Sequence, residues 1–205
     1  MFGFGKKKQQ LKRKQARVAI LIADGVEQAH LDESIKALRR AAVETFIVSL
    51  RPGKVQALHG MKRGSRVPVD VTIDEVHPAS FAALLLPGGS SSADRLRLNQ
   101  QVLEFVRAFD RNHKPIAAVG HAGWVLASAG VLRKNGRPRQ LTAWPGIQDD
   151  LINAGGEWMD EPYVQDDNLL TSRTGRDLPK FTKQLVKHFA AYAEDSSGTL
   201  IEAQA

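Results

Sequence analysis

The chain has 205 residues, 42% of them apolar and 25% charged, and no cysteine. No apolar run reaches the roughly 20 residues of a membrane span, and the lack of thiols excludes disulfides, thiolate metal sites and any cysteine nucleophile. The formal charge of +7 suggests nucleic acid only until it is located: seven of the 29 basic groups are Lys6, Lys7, Lys8, Lys12, Arg13, Lys14 and Arg17, leaving 22 against 22 acids.

This length suits one globular domain built on a large sheet. Residues 1–16 are expected to form a basic, disordered tail, too poor in apolar surface to offset its ordering entropy. The folded domain is expected over 17–193, and a polar C-terminal tail over 194–205. A charged start with no apolar segment behind it predicts no secretory signal, hence a cytoplasmic address.

Arg17 to Ala23 is a continuous apolar run bounded by Asp24-Gly25 and predicts a strand buried on both faces. Leu31, Ile35, Leu38 and Ala42 follow at helical steps. Glu44 to Leu50 predicts a second strand, and Val67, Val69 and Val71 an edge strand or hairpin. Phe81 to Leu86 is a further buried strand, stopped by Pro87-Gly88-Gly89. Val102, Phe105, Val106 and Phe109 form a helical stripe. Pro115 to Val119 gives the next strand, with a helix from about His121 to Ala129 behind it. Ile147, Leu151 and Ala154 mark a short helix ending at Gly155. Tyr163–Gln165 and Asn168–Ser172 flank Asp166-Asp167 as a hairpin, and Leu178, Phe181, Leu185, Phe189 and Tyr192 predict a closing helix.

Strands alternating with amphipathic helices imply an α/β fold, a mostly parallel sheet covered on both faces. Ligands then bind at the carboxyl ends of the strands, so Asp24–His30, Pro87–Ser92 and Gly120–Trp124 should converge. Val119-Gly120-His121-Ala122 turns from strand to helix in the manner of a nucleophile elbow, whose apical side chain is exposed against unpaired helix amides. Here the apex is Gly120, which has no side chain.

At these residues the chain resembles the ThiJ/PfpI superfamily, and within it the PfpI-like intracellular proteases. The matching stretches are Ile22 to Gln28, Leu86-Pro-Gly-Gly89, His121, and Trp124 to Gly130. To these are added Ala143 to Gly155 with Glu157-Trp158, and Leu169 to Arg173. The resemblance implies a flavodoxin-like three-layer sandwich that forms a homodimer. It also implies protease, glyoxalase or deglycase chemistry from an elbow cysteine, a following histidine and a loop glutamate. Carried onto this chain, the cysteine falls on Gly120, the glutamate on His30 and the histidine on His121. Gly88 and Gly89 keep the amides that would face a substrate oxygen, and Ala122 occupies a neighbouring ligand position.

The expectation is therefore a stress-type protein of this family without its nucleophile, a binding or structural homodimer with a small-molecule ligand in the emptied pocket and no cofactor. A rival is a hydrolase or carbonyl-processing enzyme using His121, Glu27 and water. A metal held by His30 and His121 with Glu27 or Asp24 would need a ligand spacing the sequence lacks, and none is expected. Asp149-Asp150 reads as complement to a helix dipole, and Ser90-Ser91-Ser92 as a helix entrance rather than an anion cradle. Trp124, Trp144 and Trp158 read as core or dimer-interface aromatics. A third possibility assigns function to residues 1–16, as a tether to nucleic acid or an anionic membrane with Phe2 and Phe4 as anchors.

Overall fold

The structure, a computed structural model, describes the backbone of residues 17–202 and the side chains of residues 17–190. The basic segment 1–16 lies outside the described residues. The first strand, β1 (Arg17–Leu21), is followed by β2 (Val26–Glu27), α1 (Gln28–Arg40) and β3 (Glu44–Ser49). Then come β4 (Lys54–His59), β5 (Lys62–Pro68), β6 (Val71–Thr72) and β7 (Ala83–Leu86). Next are α2 (Ser90–Arg97), α3 (Gln100–Arg111), β8 (Ile116–Val119) and α4 (Gly123–Ala129). Short strands β9 (Arg133–Lys134), β10 (Arg137–Pro138) and β11 (Gln140–Leu141) lead to α5 (Gln148–Asn153) and β12 (Glu157–Trp158). The chain closes with β13 (Tyr163–Asp166), β14 (Leu169–Ser172) and α6 (Leu178–Glu202).

Seven strands form the central sheet in the order β13-β14-β8-β7-β1-β3-β6. Every pair is parallel except the hairpin β13–β14, which turns through Asp167 at φ 55°. The expected α/β sandwich follows directly from the alternation within β1. Ala19 and Leu21 pack with Leu96, Phe105, Leu126 and Leu151 from α2, α3, α4 and α5. Val18 and Ile20 pack on the opposite face with Leu31, Leu38, Phe181 and Leu185 from α1 and α6. Two apolar layers therefore enclose one sheet whose central strands carry no polar face.

Three local readings need correction. The Val67, Val69 and Val71 alternation is shared between two sheets, because β5 pairs with β4, at one edge of the sheet β2-β4-β5, while β6 pairs with β3. Helix α2 is absent from the apolar pattern because its face is small: Ser92 and Ala93 are buried beside Leu96. Helix α6 runs to Glu202, past the end that the apolar stripe predicts at Tyr192. No proline or capping glycine stops it at that point, and Ala193 and Glu194 favour the helix. Among the described residues no helix is long and apolar enough to cross a membrane.

Candidate functional site

The chain leaves β1 for β3 and β6 on one side, then returns to β7, β8 and β14 on the other. The carboxyl ends of β1, β7 and β8 thus open a crevice at the topological switch point. The segments after these strands do converge there. The Glu27 amide donates to the Gly88 carbonyl at 2.8 Å, joining the loops after β1 and β7. The Ala23 amide donates to Ser92 Oγ at 3.0 Å, so this serine ties the first loop to α2.

Gly120 follows β8 in a 3-10 turn, Gly120–Ala122, that runs straight into α4. Its φ of 58° lies in the left-handed region, where a side chain is strained and glycine is not. A Cβ at this position would meet only the Arg173 carbonyl oxygen and His30 Cε1, both at 3.4 Å. The elbow geometry expected from the sequence is present, and its apex has room for a short side chain.

His30 lies in the first turn of α1 and is 7% exposed. Its ring is wedged between glycines. A Cβ on Gly88 would stand 2.5 Å from Nδ1, and one on Gly175 would stand 3.7 Å from Nε2. Nδ1 is buried without a hydrogen-bond partner. Burial, with a smaller contribution from nearby His121, pushes its pKa down to about 4, so the ring is neutral at pH 7.

That shift has a consequence for stability. The unfolded histidine titrates near 6.5, so between that value and about 4 the unfolded state binds the extra proton. The contribution is present above pH 6.5 and is lost as pH falls. His30 alone should remove about 2 kcal/mol of stability between pH 7 and pH 5. Urea unfolding at the two pH values should show a smaller drop for His30→Gln, and an equal drop would refute the assignment.

His121 is half-buried, and burial also lowers its pKa. Its ring stacks on Trp144, with centroids 5.4 Å apart and planes at 20°, and meets Trp124 edge-on at 5.4 Å. Trp124 Nε1 donates to Asp150 Oδ2 at 2.7 Å, and the Arg97 guanidinium lies 5.5 Å from the Trp124 ring centroid. Asp150 thus does more than complement the dipole of α5: it fixes a wall of this site. Trp144 is 43% exposed, so it is not a core residue of this chain. Trp158 and Trp124 pack against the main core.

Several expected partners are directed elsewhere. Glu27 Oε2 accepts from the Gly60 amide at 2.9 Å, holding the β4–β5 hairpin. Asp24 pairs with Arg51 and accepts from the Gln56 amide at 2.8 Å. Neither carboxylate completes a set with the two histidines, and among the described residues no cluster of three or more His, Cys, Asp or Glu forms a metal site. Ala122 is 1% exposed and packs in the core, so its methyl group does not line the crevice. Gly89, at φ 114°, has no room for a side chain against the Gly25 carbonyl and the Glu27 amide.

Sequence reasoning missed the fourth wall, Arg173 to Gly175. Arg173 is anchored by Asp177, at 3.0 Å, and by Asp160, at 2.6 Å. The signal was available: β14 lies beside β8 in parallel, so the residues after it must reach the same edge. The site therefore offers an open elbow, a neutral buried imidazole and a second imidazole between two indoles. Among the described residues neither ring is hydrogen-bonded to a carboxylate.

A model of the DJ-1/PfpI family matches residues 16–188. A deglycase of Pyrococcus horikoshii is 38% identical, over 83% of this chain and 98% of its own length. Protein/nucleic acid deglycase 2 of Escherichia coli is 39% identical, over 85% of this chain and 98% of its own. Among solved structures, a protein of Anabaena variabilis with DJ-1/ThiJ/PfpI-like and ferritin-like domains superposes with a TM-score of 0.79 at 31% identity. That match covers 86% of this chain and 48% of the two-domain protein.

Proposed function

This chain belongs to the DJ-1/PfpI family, and on that premise we propose that it is a ligand-binding homodimer of the cytoplasm that has given up cysteine chemistry. The observation that carries the reading is Gly120: the elbow retains its left-handed backbone at the head of α4, yet the whole chain contains no sulfur nucleophile. His30 supports it. A glutamate here would tune a thiolate, whereas a neutral imidazole with an orphaned Nδ1 has no thiolate to tune. Deglycases among the relatives make small carbonyl adducts of amines the ligand class to try first.

The rival reading, hydrolysis by His121, Glu27 and water, loses support from the bond between Glu27 and Gly60. A base without a carboxylate partner supplies about 10²–10⁴-fold at best. His121 is better suited to binding, as one ring of an aromatic wall. A methylglyoxal adduct of N-acetyl-lysine should quench tryptophan fluorescence saturably, and Trp144→Ala should weaken that binding at least about fivefold, the loss of one aromatic contact. The adduct should be recovered unchanged. Conversion to free amine and lactate, or an absence of any saturable signal, would overturn the reading.

A further inference from the structure

The central sheet ends at β13, and the outer side of that strand is open. The Ile116 amide donates to the Asn168 carbonyl at 2.8 Å, so the backbone groups of Asn168, Leu170 and Ser172 face β8. Those of Leu169 and Thr171 then face β13, where they meet Asp166 and Val164. Tyr163 and Gln165 therefore point their N–H and C=O groups away from the sheet, and among the described residues nothing bonds them. Sheet edges are commonly blunted by lysine or proline. Strand β13 has neither, and its one charged residue, Asp166, is buried against Arg137.

A cleft of about 820 Å³ runs between the start of this strand and α6, lined by Glu161, Tyr163, Lys180, Lys183, Gln184 and Lys187, among others. Gln184 Nε2 donates to Tyr163 Oη at 3.2 Å and ties the helix to the strand. Lys180, Lys183 and Lys187 recur at steps of three and four, so they share one face of α6. All three are exposed, and among the described residues none has a carboxylate partner. Glu161 is the one acid lining the cleft, which leaves it positively charged.

We propose that β13 and this lysine row together receive an extended acidic segment of a partner protein, added to the sheet as a further strand. Tyr163 and Gln165 offer main-chain donors and acceptors at a two-residue repeat, which an extended polypeptide matches. Alternate side chains of the added strand point toward α6. Three of them span about 13 Å and the three lysines rise over about 10 Å, a difference their flexible stems absorb. A phosphate chain would meet the lysines but leave the strand edge unpaired. Antiparallel pairing of two copies, edge to edge, would set one lysine row against the other. Charge and edge together thus select an acidic polypeptide over either. The ion pairs are exposed, so the contact is weak and weakens further with salt.

The probe that tests this is a fluorescein-labelled heptapeptide of alternating glutamate and valine. Its anisotropy should rise saturably with the unaltered protein at low salt, and changing Lys180, Lys183 and Lys187 together to Gln should weaken binding at least about tenfold. Methylating one alternate set of the peptide's backbone nitrogens, and not the other, should weaken it at least about fivefold. In the complex, hydrogen exchange at the Tyr163 and Gln165 amides should slow at least about fivefold while that at Gly60 and Gly120 stays unchanged. Binding that does not saturate, is indifferent to the lysine changes, or leaves exchange at Tyr163 and Gln165 unaltered would overturn the proposal. So would displacement of the probe at equal concentration by an oligothymidylate of matched charge, which would assign the cleft to phosphate chains. Exchange at the two amides that slows with protein concentration alone would assign the edge to a second copy and overturn it likewise.

Discussion

Combining Gly120→Cys with His30→Glu should create a thiol that iodoacetamide alkylates at pH 6 at least about tenfold faster than a free cysteine derivative. The position is buried at the head of α4, and a Cβ there would stand 3.4 Å from the Arg173 carbonyl oxygen and from His30 Cε1, in contact rather than overlap. Backbone amides at a helix start favour a thiolate over a thiol. The burial that holds His30 neutral would hold a carboxyl there protonated, able to donate to the sulfur. Gly120→Cys alone should react more slowly, since a neutral imidazole offers no such assured donor. Either variant should lose about 1–2 kcal/mol of stability, because φ at 58° strains any residue with a Cβ. Alkylation at an ordinary thiol rate in the double variant would show that this turn no longer presents its apex to the helix start.

Arg139→Leu should be the most damaging single change outside the site. Arg139 is 0% exposed and bridges three elements at the amino ends of β8 and β14. It donates to Asp110 at 2.8 Å, to the Asp166 carbonyl at 2.7 Å and to Asn168 Oδ1 at 2.8 Å. Removing one partner of a buried ion pair costs about 3–5 kcal/mol, because the other charge is left behind. Lys134 also reaches Asp110, at 3.3 Å, and Asn168, at 2.9 Å, which moderates the loss. A value near 3 kcal/mol is expected, a fall of about 6–12 °C in the melting midpoint for a domain of this size. A fall of less than about 2 °C would mean the cluster is not coupled to folding.

Sequence and structure agree where one physical signal dominates. Buried runs such as Arg17–Ala23 and Phe81–Leu86 have no polar face, so they belong in the centre of a covered sheet, and β1 and β7 are found there. The strand-to-helix turn at Gly120 was legible because the apolar run, the glycine and the helical stripe follow without a spacer. Of helix α2 only the entrance at Ser90–Ser92 was legible; its body was not, since Ser92 is buried through its bond to the Ala23 amide rather than through apolar surface. Glu27 stands beside the site, as its spacing implies, but the direction of its carboxylate is set by the Gly60 amide on a hairpin far along the chain, which spacing cannot show. The hairpin β9–β10 carried a local signal that went unused: Asn135 and Gly136, both at positive φ, are the pair that a two-residue turn requires. Trp144 shows the limit of composition arguments, because an indole stacked on His121 and one buried in a core look alike in sequence.

The central claim is tested most directly by following methylglyoxal with the unaltered protein and with His121→Ala. The loss of the elbow sulfur predicts no consumption above buffer for either, and no effect of a prior iodoacetamide treatment on the unaltered chain. Saturable consumption by the unaltered protein that disappears in His121→Ala would contradict it.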